Sequence, residues 1–261
     1  MDLLELALRA DDRGLLLVGV RLPLFTLAFC LATAMTLQRT EVTTTICRGV
    51  SVTNSWPSLS SVTDVWPQRC LWRAVVVLHV APRLLLVCNY AQYLRWRAAL
   101  VAPPLRFVFD LLACLSSVVH ASSVGSMFMM ACTSRRDHAN VHDVMLVNWT
   151  WWSLLHMAST CLALRMSQHR SDGYLMRRSR VLKETLFALS VAASIGITYF
   201  GAAQKGYCAE MGGVEDKAAH MQAAQDLFGI SELAFMVCTM GFDLTVLYDV
   251  PDNVAHAPWP M

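Results

Sequence analysis

Six apolar segments, each close to the length that crosses a bilayer, constrain the fold of this chain more than any other feature. About 20 mainly apolar residues span the ~30 Å hydrocarbon core as a helix. The segments are residues 15–37, 70–93, 105–131, 142–164, 184–203 and 224–247. We therefore predict an all-α, polytopic membrane protein, in which residues 1–261 form a single domain built as a bundle of about six transmembrane helices.

Composition agrees with this class and excludes others. The 261-residue chain is 56% hydrophobic and 15% charged, with a mean hydropathy of +0.44, unlike a soluble globular domain. Its net charge of +2 is small, and no Lys/Arg-rich block alternates with aromatic residues, so nucleic acid is not an expected partner. We expect the third and sixth segments to be the weakest in hydropathy, because they contain Asp110, Glu232 and Asp243.

The distribution of Lys and Arg around the segments predicts their orientation. Cytosolic loops of membrane proteins carry an excess of these residues. Placing both termini in the cytosol puts the larger set of Lys and Arg residues on the cytosolic side, and the loop at 165–183 supplies most of the excess. Residues 251–261 are polar and contain proline, and we expect them to form a short, disordered cytosolic tail.

Two cysteines differ from the others in their position. Cys47 and Cys208 lie in loops that the predicted topology places on the same, non-cytosolic side, whereas the others lie in or at the ends of apolar segments. The secretory lumen is oxidising, so Cys47 and Cys208 could form a disulfide; two free thiols are the alternative. No Cys-x-x-Cys or Cys/His spacing typical of zinc is present, and no metal or other cofactor is predicted.

Polar residues recur at helical spacing within three of the segments. At 100° per residue, each set falls on one face of its helix. In the fourth segment, one face carries five such residues: His142, Trp149, Ser153, His156 and Thr160. One face of the sixth carries Glu232, Thr239 and Asp243, and one face of the second carries Trp72, Val76, His79 and Arg83. We predict that these three faces converge on one interior cavity.

Packing is the alternative explanation for many of these residues. Ser and Thr often form hydrogen bonds between transmembrane helices, and Arg or Lys near a helix end, including the 177–183 cluster, often reaches the interface. An isolated charge at membrane depth costs at least ~2.5 kcal/mol, and such residues usually pair or mark a functional site. A functional role is therefore favoured for His79, Arg83, His142, His156, Glu232 and Asp243.

The residue types suggest acid–base chemistry on a lipid. Imidazole titrates near neutral pH, a carboxylate can fix its tautomer, and Arg binds phosphate through two hydrogen bonds. The candidate catalytic residues are His142 as base, Asp143 as its orienter, and His79 and His156 along the lipid path. The candidate lipid-binding residues are Arg69, Trp72, Arg73, Arg83, Glu232 and Asp243. A lipid-binding site without chemistry has the same requirements, so both alternatives stay open.

Two groups of motifs resemble a known family. Residues 67–73 are P-Q-R-C-L-W-R and residues 78–83 are L-H-V-A-P-R; the fourth segment has H-D at 142–143, H-M at 156–157 and T-C at 160–161. These residues resemble the post-GPI-attachment-to-proteins factor two family, which is related to the N-terminal domain of the fungal ceramide-remodelling protein of GPI anchors. The chain departs from that pattern at Ser122, Ser123, Asp143 and Asp243.

The resemblance implies work on GPI-anchored proteins in the Golgi membrane, with the ER as the alternative compartment. In that reaction a lyso-GPI intermediate is reacylated with a saturated chain; the acyl donor is not specified. The implied partners are GPI-anchored proteins, lyso-GPI, membrane lipids and other GPI-remodelling proteins. A non-enzymatic scaffold that binds GPI lipid or recruits a remodelling enzyme is the second hypothesis. A transporter is disfavoured because no inverted repeat is present.

Overall fold

The computed structural model describes Gly14 and residues 17–47, 50–168, 173–210 and 216–249. The predicted tail at 251–261 lies outside these residues. A π-helical turn, Leu17–Arg21, leads into the first helix. The long helices are α1 (Leu22–Leu37), α4 (Gln68–Arg97), α5 (Arg106–Cys132), α6 (Arg135–Met166), α7 (Tyr174–Glu210) and α8 (Asp216–Leu244). The short elements are α2 (Arg39–Thr43), α3 (Leu59–Thr63), α9 (Val246–Asp249), β1 (Thr44–Cys47) and β2 (Val50–Thr53).

Most of the long helices are suited to a membrane. Within the described residues, five are long and apolar enough to span a bilayer: α1, α4, α5, α7 and α8. The protein is thus a polytopic all-α membrane protein, as predicted. The expectation for the third and sixth segments is wrong, because α5 and α8 are among the five. The helix outside this group is α6, which has 32 residues but carries the longest polar face and several Trp residues.

Short connections arrange neighbouring helices as antiparallel pairs. Only Thr133 and Ser134 separate α5 from α6, and these two helices pack against each other, as do α7 and α8. The Ser134 side chain begins α6 by accepting a hydrogen bond from the Asp137 N–H at 3.2 Å. The backbone of His138 is non-helical, which kinks α6 within its second turn. Helix α4 packs on both α5 and α1, and a continuous apolar core joins the bundle.

The loops at one end of the bundle are held by covalent and polar contacts. Strands β1 and β2 form an antiparallel hairpin, and Cys47 is disulfide-bonded to Cys208 on α7, with 5.3 Å between their Cα atoms. The next loop is fastened to α8: the Asp226 Oδ1 accepts from the Trp56 N–H at 2.7 Å, and the Glu232 Oε2 accepts from the Leu59 N–H at 2.9 Å. We call this end of the bundle the disulfide end.

Replacing Cys47 with Ser should lower the free energy of unfolding by about 2–4 kcal/mol, because the disulfide closes a long loop and restricts the unfolded chain. Thermal unfolding in detergent would measure the change. Cys70 is exposed and unpaired, so Cys70→Ser is the matched control and should leave the unfolding temperature unchanged. Reductant should lower the wild-type value to that of the Cys47 variant; equal values for all forms without reductant would contradict the prediction.

Candidate functional site

The structure buries every residue of the three predicted polar faces, but it divides them between two places. His142, Trp149, Glu232 and Trp72 surround a cavity near the disulfide end. Arg83, His156 and Asp243 lie deeper in the bundle. The prediction of a single cavity is therefore wrong: along α6, His156 is 14 residues beyond His142, a distance of about 21 Å at ~1.5 Å per residue. Helical periodicity gives the face of a residue but allows that face to pass more than one site.

The cavity near the disulfide end, which we call the disulfide-end cavity, is partly open; about 540 Å³ of space between its walls is free of protein atoms, and this includes space open to solvent. Its lining combines a large apolar surface with a few titratable groups. The lining residues are Leu27, Leu59, Ser60, Thr63, Asp64, Trp72, Met130, Ala131, His142, Leu146, Trp149, Glu232 and Met236. Trp149 is fixed by an edge-to-face contact with Phe235, with 5.0 Å between ring centroids. The cavity therefore presents an apolar surface beside a small number of titratable side chains.

The hydrogen bonding of His142 defines its tautomer. Its Nδ1 lies 2.9 Å from the carbonyl oxygen of Thr133, at the C-terminal end of α5. A carbonyl oxygen only accepts, so the Nδ1–H donates, and the neutral ring carries its lone pair on Nε2. This Nε2 is buried and has no hydrogen-bond partner in the described part of the chain. His142 is thus held in the form that a general base requires.

Asp143 does not orient His142. Its Oδ2 accepts a hydrogen bond from the Lys205 Nζ at 2.8 Å, and its Oδ1 lies 3.9 Å from the Arg135 Nε. Adjacent residues of a helix point about 100° apart, so Asp143 faces α7 while His142 faces the cavity. The predicted role of Asp143 is wrong, and the Thr133 carbonyl performs that function instead.

Two other carboxylates line the cavity. The Glu232 carboxylate accepts a hydrogen bond from the Leu59 N–H, and the Asp64 Oδ2 accepts one from the Arg135 N–H at 3.0 Å. Asp64 lies outside the membrane-spanning helices, and burial raises the pKa of its carboxyl, while His142 and two backbone N–H groups oppose the shift. Sequence periodicity missed Asp64 because it follows a short loop helix. A usable signal was present, since Asp64 is the only charged residue between 54 and 66.

Asp64→Asn should raise the stability of the protein at neutral pH and flatten its dependence on pH. A raised pKa in the folded state means that the wild type loses stability as pH rises from the ordinary Asp value of 3.8 through the folded-state pKa. The Asn oxygen can still accept from the Arg135 N–H. Thermal unfolding of both forms from pH 4 to 7 would test this; a variant that loses stability with pH as steeply as the wild type would contradict it.

Arg73 contacts the lining of the cavity, and Arg69 lies beside the same carboxylate as Arg73. The Arg73 Nε donates to the Ala131 carbonyl at 3.1 Å, and its Nη2 donates to the Asp137 Oδ2 at 3.1 Å. An Arg69 nitrogen lies 3.8 Å from the same carboxylate. Both guanidinium groups are about one third exposed. Two positive groups therefore share one carboxylate, which leaves net positive charge where a lipid phosphate could approach.

The structure gives Arg83 and His79 other positions. Arg83 is 3% exposed and forms an ion pair with Asp243, which contradicts its predicted role in holding a lipid phosphate. The buried charges of Arg83 and Asp243 compensate each other instead. His79 is fully buried, and its Nδ1 lies 2.6 Å from the Val76 carbonyl of its own helix. It lies in the packed core and does not line the disulfide-end cavity.

A second group of polar side chains meets where α4, α5, α6 and α8 pack together. We call Arg83, His120, His156 and Asp243 the central cluster. The Asp243 Oδ1 lies 3.6 Å from the His120 Nε2 and 3.8 Å from the His156 Nε2. The two imidazole rings are stacked, with 4.0 Å between centroids. His120 was not a predicted site residue, although Ser116 and Ser123 accompany it on its face of the third segment.

Comparison with known proteins places the chain in a family. The family described as "Frag1/DRAM/Sfk1/Cwh43P N-terminal domain" matches residues 14–253. The chain belongs to this family. The resemblance inferred from the motifs is confirmed, because relatives with names of that kind are 27–28% identical to the chain over most of its length. No solved structure matches this Frag1-family chain.

The curated relatives of this Frag1-family chain carry related names. "Post-GPI attachment to proteins factor 2-like" of Drosophila melanogaster is 28% identical, over 94% of this chain and 71% of the relative. "Acyltransferase PGAP2" of Danio rerio is 27% identical, over 78% of this chain and 84% of the relative. "Post-GPI attachment to proteins factor 2" of Drosophila melanogaster is 27% identical, over 90% of this chain and 84% of the relative.

The Frag1-family bundle also contains a buried ion pair at the end opposite the disulfide. Lys183 is 1% exposed and its Nζ donates to the Asp249 Oδ2 at 2.6 Å, to the Ser179 Oγ at 3.1 Å and to the Thr245 Oγ1. The Tyr90 hydroxyl donates to the same Asp249 oxygen at 2.9 Å. The prediction of an interfacial Lys183 is therefore wrong. This network joins α4, α7 and α9, which makes its role structural.

Proposed function

We propose that this protein acts in GPI-anchor remodelling in the Golgi membrane, where it reacylates a lyso-GPI lipid with a saturated chain in the disulfide-end cavity. The names of the curated relatives support the pathway, and the name of the Danio rerio relative supports acyl transfer. The observation that carries the chemistry is His142, whose Nδ1–H is bound to the Thr133 carbonyl and whose buried Nε2 is free to accept a proton.

In the proposed reaction His142 serves first as base and then as acid. Its Nε2 removes the proton from the free hydroxyl of lyso-GPI as the hydroxyl oxygen attacks the carbonyl carbon of an acyl ester or thioester. The carbonyl re-forms as the donor's oxygen or sulfur leaves, and that leaving group takes the proton from Nε2. The Thr133 carbonyl and the nearby Asp64 carboxylate stabilise the transient imidazolium.

The cavity separates the parts of the proposed substrate. Trp72, Leu146, Trp149 and Met236 supply an apolar lining for an acyl chain. The edge near Ala131 carries Arg73, with Arg69 beside it, and these guanidinium groups would attract the lipid phosphate. The predicted orientation places the disulfide end in the lumen, where the glycan and the attached protein of a GPI anchor reside.

A non-enzymatic lipid-binding scaffold is the second candidate function. One observation favours it: Asp143 is paired with Lys205, so the His142 Nδ1 is bound to a backbone carbonyl and not, as in many acid–base pairs, to a carboxylate. In this function, the cavity holds GPI lipid and presents it to a separate enzyme.

The protein in nanodiscs, supplied with lyso-GPI and with either acyl-CoA or a phosphatidylcholine of saturated chains, separates the two functions. The enzyme produces diacyl GPI with one of these donors, detected by mass spectrometry. Binding of lyso-GPI without product from either donor supports the scaffold and contradicts the proposed reaction. Absence of both binding and product contradicts both functions. Trp149→Ala, which enlarges the cavity, should weaken lyso-GPI binding in either case.

A further inference from the structure

Three helices bring potential metal ligands together in the central cluster. His120 comes from α5, His156 from α6 and Asp243 from α8, and one ligand atom of each lies within 4.8 Å of the others. All three side chains are buried. We infer that His120, His156 and Asp243 bind a divalent transition-metal ion, with Zn²⁺ as the best chemical match. This inference stands apart from the proposed acyl transfer at His142.

The separations between these atoms suit a shared ion better than direct hydrogen bonds. The Asp243 Oδ1 is 3.6 Å from one imidazole Nε2 and 3.8 Å from the other, whereas N–H···O hydrogen bonds are usually about 2.7–3.2 Å long. Zn²⁺ binds imidazole nitrogen and carboxylate oxygen at about 2.0–2.2 Å, which puts tetrahedral ligand atoms about 3.4 Å apart. Movements of a few tenths of an ångström would close the site around an ion.

The hydrogen bonds of His156 direct its metal-binding nitrogen toward Asp243. Its Nδ1 lies 3.2 Å from the Ser116 carbonyl oxygen and 3.1 Å from the Ser116 Oγ, and that hydroxyl is 2.7 Å from the Thr160 Oγ1. A proton on Nδ1 satisfies both Ser116 contacts while the hydroxyl donates to Thr160. The Nε2 lone pair then faces a carboxylate oxygen, and a cation between these two acceptors resolves their repulsion. Metal-binding histidines commonly donate their other N–H to a backbone carbonyl in this way.

His120 supplies an independent observation. Its side chain is 7% exposed, and its Nε2 is buried without a hydrogen-bond partner among the residues that the structure describes. Leaving such a group unpaired costs about 1–3 kcal/mol. This Nε2 faces the same Asp243 oxygen as the His156 Nε2, so a single ion would satisfy both rings.

The surroundings complete a site with three protein ligands and one open position. Arg83 binds the other oxygen of Asp243, which fixes the carboxylate and leaves Oδ1 for the ion. A small cavity adjoins the ligands and is also lined by Tyr90 and Lys183. A water molecule there could take the fourth position, as at catalytic zinc sites with two His and one carboxylate ligand. Because Arg83 offsets the carboxylate charge, we expect an exchangeable ion that a strong chelator removes.

This inference departs from the expectation of no metal site. That expectation rested on local Cys and His spacing, which detects ligands from one loop or one helix. Here each ligand comes from a different helix, and 36 and 87 residues separate them along the chain.

Metal content measured on the full-length protein in detergent tests the site. After incubation with Zn²⁺ and desalting, the wild type should retain about one ion per chain by inductively coupled plasma mass spectrometry. His120→Gln and His156→Gln should each lose most of it, whereas His138→Gln, at an exposed position of α6, should retain it. Gel filtration and far-UV circular dichroism would establish that the variants are folded.

Cobalt spectroscopy of the wild type makes the test independent of the variants. Co²⁺ added to the chelator-treated protein should give the visible absorption of a four-coordinate site, and Zn²⁺ should abolish that absorption. A wild type that retains no Zn²⁺ and gives no such spectrum would overturn the inference. Retention of the ion by folded His120→Gln and His156→Gln variants would overturn it equally.

Discussion

Replacing His142 with Asn should reduce lyso-GPI reacylation by about 10²–10⁴-fold, the range that a general base contributes. The Asn side chain can still donate an N–H to the Thr133 carbonyl but has no nitrogen that accepts a proton. The variant should therefore fold normally and bind lyso-GPI with unchanged affinity. The rate of diacyl GPI formation in nanodiscs would be measured beside lyso-GPI binding.

His138→Asn provides the matched control, because His138 lies one turn earlier on the same helix with its side chain exposed. In cells that lack the endogenous protein, the wild type and the control should restore saturated GPI anchors, and His142→Asn should not. Full restoration by His142→Asn would eliminate His142 as the base. Loss of lyso-GPI binding together with turnover would instead assign His142 to substrate binding.

Replacing Asp249 with Ala should destabilise the bundle by about 3–5 kcal/mol, the second large effect that we expect. The change leaves the fully buried Lys183 ammonium without its carboxylate and removes the acceptor of the Tyr90 hydroxyl. Such a loss is a large fraction of the stability of a typical domain. The unfolding temperature in detergent and the monodisperse fraction after gel filtration would report it.

The neighbouring residue on α7 supplies the control. Glu184 forms a largely exposed ion pair with Arg165, and Glu184→Ala should cost less than about 1 kcal/mol. The double variant Lys183→Met/Asp249→Leu should recover most of the stability lost by Asp249→Ala, because it removes both charges and keeps the volume. Equal unfolding temperatures for Asp249→Ala and Glu184→Ala would show that the buried pair contributes little.

The sequence correctly predicted which polar side chains are buried, but it did not predict which residues they contact. Helical spacing placed His142, Glu232 and Asp243 on inward faces, because a 3.6-residue period fixes which side of a helix is apolar. It carried no information about the axial position of neighbouring helices, so His142 and His156 were assigned to one cavity although about four turns of α6 separate them. Charge type misled in the same way: Lys183 near a helix end suggested an interface, but α9 supplies a buried carboxylate for it.

Contacts between helices also explain why the sequence did not predict the partners of two histidines, His142 and His120. Asp143 follows His142 directly in sequence and so was the natural orienter, yet a helix turns adjacent side chains apart, and the real acceptor is a backbone carbonyl at the end of α5. Because every residue has a backbone carbonyl, the pattern of side chains in the sequence does not indicate which carbonyl will accept a hydrogen bond. His120 shares its face of α5 with Ser116 and Ser123, and its significance becomes clear only with His156 and Asp243, which other helices bring close to it.

The short helix α3 has a consequence for the selectivity of any transfer reaction in the disulfide-end cavity. Leu59, Ser60 and Thr63 form part of the cavity wall, and Glu232 fastens this helix to α8. Helix α3 therefore covers part of the cavity and is held in place by α8. Water competes with a lipid hydroxyl for an acyl group. A firmly held α3 that limits the access of water would therefore favour transfer of the acyl group to the lipid over its hydrolysis.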